Sequence, residues 1–496
     1  MSHQKQKRQG FDYCKEVKSM YDVLIVGAGV VGGMLARQLS RYRLSVCLLE
    51  KGHDVALGAS KANSGIVHGG YDPEPGTLKA KLNAEGVQKM YDTARELNVP
   101  CINNGSFVCA FGTKEEEETI RALYARGLEN GIEGLSIISG DEARRREPEL
   151  SKDVSLVLDV PNAGIVCPYE LTIAAVGNAM DNGVELKLNC HVNSIKREDG
   201  IFTVTSEEGD VIQGRFLVNC AGCFSHQIAR MAGDDSFTII PRIGEYMLLD
   251  KNEGKRVSHT IFQVPTKEGK GILVTPTVDG NLLTGPNAAI AEFLENTKTT
   301  PEGLDIVGRL AAKSVPSINF RQVITSFAGI RSSEKNGDFI IRPANSVEGM
   351  LHVAAIDSPG LTASVAIADY AIDRLREMGL ATVEDPTFNG HRADPHAFRK
   401  MSDEEKDAYI KEHPEFGRII CRCETVSEGE ILQAIHSNPP ARDVDGVKRR
   451  TRSGMGRCQG GFCLPYVMKL LKREHGVAME TITKKGKESK YVTGKM

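Results

Sequence analysis

The 496-residue sequence has no apolar run long enough to span a bilayer, so an integral membrane protein is not expected. Its first 20 residues, MSHQKQKRQGFDYCKEVKSM, lack the apolar middle of a secretory signal, and export is not expected either. Charge of one sign is also missing. Lys and Arg number 62 against 65 Asp and Glu, a net charge of −3, so no global field draws the chain to nucleic acid. The signature of disorder is absent too, with 41% hydrophobic and 26% charged residues, close to the globular mean. At about 150 residues per domain the length suggests roughly three domains. A cytoplasmic location, with no transmembrane segment and no nucleic-acid partner, is the expectation.

The chain has 12 cysteines, but a cytosolic setting argues against a disulfide framework. Cys14, Cys47, Cys101, Cys109, Cys167, Cys190, Cys220 and Cys223 are scattered through the first half, which suits core packing. The other four form two close pairs near the C-terminus, which suits a metal site.

Residues 21–50 read YDVLIVGAGVVGGMLARQLSRYRLSVCLLE. The apolar run Val23–Val26 predicts a parallel strand buried on both faces. It runs into a GxGxxG of Gly27, Gly29 and Gly32 that opens a helix over about 31–40. The glycines allow a tight turn and close backbone approach to a pyrophosphate seated on the helix N-terminus. A second apolar run ends in Glu50, 18 residues beyond Gly32, where an acid can bond ribose hydroxyls. Glu rather than Arg disfavours a 2′-phosphate and leaves FAD and NAD open. The small-residue stretch LGASKANSGIVHGG (57–70) then favours FAD, because a flavin needs a second backbone-lined channel. The strand-and-turn FLVNCAG (216–222) could close over the adenine side, and its Cys220-x-x-Cys223 reads as packing rather than a redox pair.

Six segments resemble the glycine/D-amino-acid oxidase superfamily of flavoproteins, and within it the FAD-dependent glycerol-3-phosphate dehydrogenases and oxidases. They are GAGVVG (27–32), SKANSGIVHGGYDPEP (60–75), PRIGEYMLLD (241–250), VPTKEGKGILVTPTVDGNLLTGP (264–286), FAGIRSS (327–333) and DSPGLTASVAIADYAID (357–373). The resemblance implies that His68 lies over the flavin and that Lys270 and Arg331 face the substrate. It also implies that the turn Ser358, Gly360, Leu361 and Thr362 opens a helix beneath the flavin pyrimidine. The implied cofactor set is Gly27, Gly29, Gly32, Glu50, Lys51, Ser60, Asn63, Ser64, Val192, Ala221, Gly222, Ser358, Gly360, Leu361 and Thr362. These roles make chemical sense. A histidine suits removal of a hydroxyl proton, a helix N-terminus stabilises charge on the flavin N1/O2 edge, and an Arg fork grips phosphate or carboxylate. Each has a plainer alternative: a structural His68, an Arg331 paired with Glu334, a solvated Lys270.

The late cysteines read Cys421-x-Cys423, 34 intervening residues, then Cys458-x4-Cys463. Four thiolates can hold zinc or an iron–sulfur cluster. The C-x-C chelate and the flanking glycines lean towards a cluster, since backbone N–H groups can then approach its sulfides. The region resembles the bacterioferritin-associated-ferredoxin-like [2Fe–2S] domain, although many such domains close with C-x2-C. Lys448, Arg449, Arg450, Arg452 and Arg457 surround it in sequence. They read first as charge compensation for the cluster or as a dock for an acidic partner, and otherwise as a solvated basic loop.

The expected fold is α/β (α+β overall), a Rossmann-like FAD-binding domain with an antiparallel-sheet substrate domain and a small helical [2Fe–2S] domain. The expected division is 1–20 extension, 21–385 catalytic region, 386–410 linker or packed connector, and 411–496 cluster domain. A flavin joined to a one-electron centre implies a dehydrogenase with an external acceptor, with glycerol 3-phosphate as the small anionic substrate and a separate redox subunit, which would place the chain peripherally at the inner membrane. Alternatives are a dehydrogenase of L-2-hydroxyglutarate or another hydroxy acid, an amine oxidoreductase, or a sensing scaffold.

Overall fold

The computed structural model describes residues 20–265, 271–487 and 489–494. Lys270 and Cys14 lie outside the described residues. The apolar run expected to be a buried strand is β1 (Tyr21–Val26), at the centre of a parallel sheet. On one side it pairs with β2 (Val46–Leu49), which pairs with β3 (Glu185–Lys187). On the other it pairs with β4 (Val211–Asn219). The first part of β4 pairs antiparallel with strand Ile201–Ser206, while Leu217–Asn219 pair in parallel with β7 (Met350–Ala354). One long strand therefore belongs to both an antiparallel flap and the parallel core. Helices α1 (Val30–Leu39), α2 (Leu78–Glu96), α3 (Pro168–Asp181) and α4 (Gly360–Glu377) pack around this core. Val23, Ile25, Met34, Leu48, Val218 and Val365 are buried in it together.

The second sheet has nine strands. Its spine is β5 (Ile240–Leu249) paired antiparallel with β6 (Val323–Ser333), in register from Ile240 opposite Ser333 to Leu248 opposite Thr325, with a shift before Leu249 opposite Val323. It departs from the antiparallel expectation at one pair, where strand Thr260–Gln263 runs parallel to Ser106–Ala110. The third part is a short hairpin, Ile419–Cys421 with Val426–Ser427, and the helices α5 (Glu428–His436), α6 (Val444–Thr451) and α7 (Leu464–His475). They enclose Val426, Ile431, Val447, Val467 and Leu471.

Within residues 386–410, two side chains pack against the neighbouring parts. Arg392 pairs with Asp181 at the end of α3 and donates to the Asn438 carbonyl, and His396 Nε2 lies 3.3 Å from Glu170 Oε2.

Helices α2 and α4 approach closely at Gly86, where a Cβ would sit 2.5 Å from the Thr362 carbonyl oxygen. Gly86→Ala is expected to destabilise the fold by about 1–3 kcal/mol through overpacking, measured by urea denaturation.

Candidate active site

The carboxyl ends of β1, β4 and β7 converge where the strand order switches direction, the usual ligand crevice of an open α/β sheet. Gly27 has φ +108°, and a Cβ there would lie 2.4 Å from the Cys220 carbonyl oxygen, so the first turn and the turn after β4 touch backbone to backbone. A Cβ on Gly32 would lie 2.0 Å from the Gly27 oxygen. Both glycines are required by these close approaches. Gly29 caps α1, and the Val30 N–H donates to Ser60 Oγ at 2.8 Å. Glu50 accepts the Ala28 and Gly52 N–H groups, one on each carboxylate oxygen at 2.8 Å. Burial raises its pKa against the pull of those two bonds. Each oxygen keeps a second acceptor site for a ribose hydroxyl. This set fits a dinucleotide: orphan N–H groups at a glycine-rich helix start for the pyrophosphate, and a buried acid for the ribose.

His68 is buried. Its N–H donates to Thr362 Oγ1 at 2.7 Å, and that hydroxyl donates to the Ile66 carbonyl at 3.2 Å. A single side chain on the first turn of α4 therefore holds the His68 segment. Asn83 of α2 donates to the His68 carbonyl at 3.1 Å, and the ring stacks on Tyr71 with centroids 4.9 Å apart. The Gly70 N–H donates to His68 Nδ1 at 3.2 Å, which in the neutral ring leaves the proton on Nε2. Gly360 N–H donates to the Asp357 carbonyl at 2.6 Å, and Asp357 Oδ2 accepts from Ser333 Oγ at 2.8 Å. That bond ties the start of α4 to the end of β6, two residues from Arg331. Arg331 is half-buried opposite Arg242, and its guanidinium covers Gly244, where a Cβ would lie 2.6 Å from Nη2. Among the described residues it has no carboxylate partner. Glu334 instead accepts the Asn336 N–H.

The remaining expected residues divide. Ala221 and Gly222 form the turn against Gly27, with Gly222 at φ +55°. Asn63 spends its side chain on its own loop, donating to the Ala59 carbonyl and accepting the Gly65 N–H. Ser64 is half-buried in that loop. Lys51 points to the rim, 2.8 Å from Glu295 and 3.4 Å above the Phe224 ring. Val192 is buried in the apolar cluster with Cys47 and Leu49. Cys220 and Cys223 are both free, and burial pushes their thiols up to about 12 and about 11. They are packing residues, as the sequence suggested.

The four late cysteines meet. Cys423 Sγ lies 3.5 Å from Cys458 Sγ, and Cys463 donates to Cys421, whose thiol that bond lowers to about 5. Burial pushes Cys458 up, but the bond from Cys423 and backbone N–H groups of its glycine loop outweigh it and hold the thiol low. Among the described residues no group of three or more His, Cys, Asp or Glu is gathered as a single metal ion requires. Two sulfur pairs fit two irons better than one tetrahedral zinc.

The arginines beside the cysteines have a role the sequence did not reveal. Arg449 and Arg450 are buried and both bond Asp54, at 2.6 and 2.8 Å. Arg452 is buried between Glu424 at 2.9 Å and Asp279 at 2.5 Å, and Arg457 pairs with Asp250 at 3.1 Å. Arg449, Arg450 and Arg452 are thus not part of a solvated basic loop, and Asp54 and Asp279 reach them from the catalytic body, whereas Arg457 stays exposed beside its acid. The missing signal was Asp54, a lone acid in a loop already assigned to a nucleotide.

Residues 22–374 match the FAD dependent oxidoreductase family and residues 419–473 match the BFD-like [2Fe-2S] binding domain. The chain is 44% identical over 477 residues to a "Glycerol 3-phosphate dehydrogenase" from Caloramator mitchellensis, covering 96% of this chain and 98% of the relative. It is similar to the solved structure "Dithionite reduced L-alpha-Glycerophosphate Oxidase from Mycoplasma pneumoniae with FAD bound", with TM-score 0.72 and 32% identity over 75% of this chain and 98% of that one. A human "L-2-hydroxyglutarate dehydrogenase, mitochondrial" is 27% identical, over 72% of this chain and 89% of its own.

Burial alone would raise the Asp54 pKa, but Arg450 and then Arg449 outweigh it and hold the carboxyl well below the usual range. The stabilisation this gives is complete above the unfolded value of about 3.9 and is lost only as pH falls through the lower native value. Hydrogen exchange across 444–451 is therefore expected to be flat from pH 7 to 5 after correction for intrinsic rates. Asp54→Asn, which strands two buried guanidinium groups, should cost about 3–5 kcal/mol and speed that exchange at pH 7.

Proposed function

Since the chain belongs to the FAD dependent oxidoreductase family, we propose that it oxidises sn-glycerol 3-phosphate to dihydroxyacetone phosphate and delivers the electrons through its cysteine module to a separate acceptor. The observation that carries the substrate class is Arg331, a half-buried guanidinium in the crevice region with no carboxylate partner among the described residues. An unpaired cation there supports an anionic substrate. The relative named for glycerol 3-phosphate, aligned along nearly all of the chain, supports phosphate over carboxylate.

When bound, FAD supplies a two-electron acceptor and a [2Fe–2S] cluster a one-electron acceptor. Gly27, Gly29, Gly32, Ser60 and Glu50 would hold the dinucleotide, and the first turn of α4 at Gly360, Leu361 and Thr362 would face negative charge on the flavin ring. Cys421, Cys423, Cys458 and Cys463 would hold the cluster. As the carbinol carbon gives up hydride, the hydroxyl gives up a proton, and His68 is assigned to receive it. Because Gly70 keeps Nδ1 as the acceptor nitrogen, the proton enters at Nδ1 and displaces the Gly70 N–H. Arg331 orients the phosphate. Lys270, outside the described residues, is assigned to the developing alkoxide. No helix among the described residues is long and apolar enough to cross a membrane, and the separate acceptor is the proposed link to the inner membrane.

The test is an anaerobic visible spectrum before and after sn-glycerol 3-phosphate, with L-2-hydroxyglutarate in parallel. Bleaching by the phosphate alone is expected, and bleaching only by the hydroxy acid would replace this reading with the second one. Arg331→Ala should lower kcat/KM by roughly 10- to 100-fold, mainly through KM. His68→Ala should slow bleaching by about 10²–10⁴-fold with FAD retained. Cys458→Ser should leave bleaching intact and stop delivery to the acceptor; lost bleaching would refute the wire.

A further inference from the structure

We infer that the face of the cysteine module around Phe462 is the docking site of a separate electron-accepting protein whose own surface sets acidic residues around an apolar centre. The inference rests on the reading that electrons leave through this module, and it adds where they leave and to what kind of surface.

The four cysteines are placed asymmetrically. Cys421 and Cys463 are buried, whereas Cys423 is exposed and Cys458 is half-buried. One sulfur pair therefore faces the module core and the other faces solvent. Next to the solvent-facing pair stands Phe462, 77% exposed, in the loop between Cys458 and Cys463. Tyr466 and Ile419 are 45% and 43% exposed. The Arg418 guanidinium lies 5.8 Å from the Tyr466 ring centre, which brings the strand start at Ile419 to the first turn of α7. A core-forming module gains nothing from a phenylalanine held in water, and a patch of aromatic and aliphatic side chains is what the centre of an interface uses.

The unpaired charge beside this patch is positive. Arg422, between two cysteines, is exposed and has no ion-pair partner among the described residues. Lys469 is also exposed without an acid and lies 5.5 Å from the Tyr466 ring centre. The acids nearby are already engaged: Glu428 holds Arg418 and Arg473, and Glu474 holds Arg473 and His436. Arg449, Arg450, Arg452 and Arg457, by contrast, have their charges matched by carboxylates. Two cations with no carboxylate partner among the described residues thus adjoin the patch, Arg422 beside Cys423 and Lys469 beside Tyr466. Such a rim steers an anionic surface by long-range attraction and leaves the apolar centre to seat it.

The experiment uses full-length protein loaded with both cofactors, without substrate, and an acidic flavodoxin as probe, with a basic cytochrome c of similar size as control. Calorimetric titration at 20 mM and 200 mM salt is expected to show flavodoxin binding that weakens about tenfold or more with salt, and no binding of cytochrome c. Arg422→Glu with Lys469→Glu, and separately Phe462→Ser, should each weaken binding at least tenfold while the visible spectrum and the rate of flavin bleaching stay at wild-type values. Wild-type affinity in both variants overturns the proposal, as does failure of the wild type to bind flavodoxin. Self-association that these substitutions abolish also overturns it, by giving the face to a second copy. The two readings fail separately: absent bleaching by glycerol 3-phosphate with salt-sensitive docking intact sinks the substrate assignment alone.

Discussion

The Thr362 hydroxyl is the contact on which the catalytic end depends. It receives the His68 N–H and gives its own proton to the Ile66 carbonyl, so one oxygen fixes both sides of the short strand that precedes the imidazole. Thr362 is itself fully buried, and its backbone is pressed against Gly86. Nothing there can rotate without opening a gap or stranding a polar group. The ring proposed to take a proton is thereby held to the helix start that would face the flavin, although the two lie 294 residues apart in sequence.

A second constraint joins the two redox parts through one loop. Ala56 N–H donates to the Ala28 carbonyl inside the glycine turn, Ser60 reaches the first turn of α1, and Asp54, two residues before Ala56, holds Arg449 and Arg450 of α6. The segment that would hold a pyrophosphate on one side is thus ion-paired to the cysteine module on the other. A buried pair of this kind is weak evidence for stability as such, because desolvation consumes much of the attraction. Its consequence is registry: two arginines on successive residues can satisfy one carboxylate in few orientations, and the module is seated accordingly.

Much of this was legible in the sequence. The β1–α1–β2 unit was visible because strand, glycines and acid occur in one continuous stretch whose spacing has a physical reason. The pairing of Asp54 with α6 was not, because an ion pair across 395 residues leaves no local pattern, and a run of arginines reads the same whether solvated or buried. Asn63 and Lys51 show the converse. Both are expected from the sequence to hold the cofactor, yet one shapes its own turn and the other pairs at the rim. Composition of a loop announces its purpose more readily than the errand of each side chain.

The cysteine spacing shows why a motif can depart from its family and still serve. Each sulfur pair takes one member from each motif, Cys421 with Cys463 and Cys423 with Cys458. Neither C-x-C nor C-x4-C therefore has to act as a chelate by itself. The interval between Cys458 and Cys463 sets the length of a glycine loop, while the distance within a pair is set by the fold that brings α7 to the hairpin. An extra two residues there lengthen the loop that carries Phe462 and leave the pairing free to form. The departure from C-x2-C thus changes what the module presents to solvent more than what it can bind.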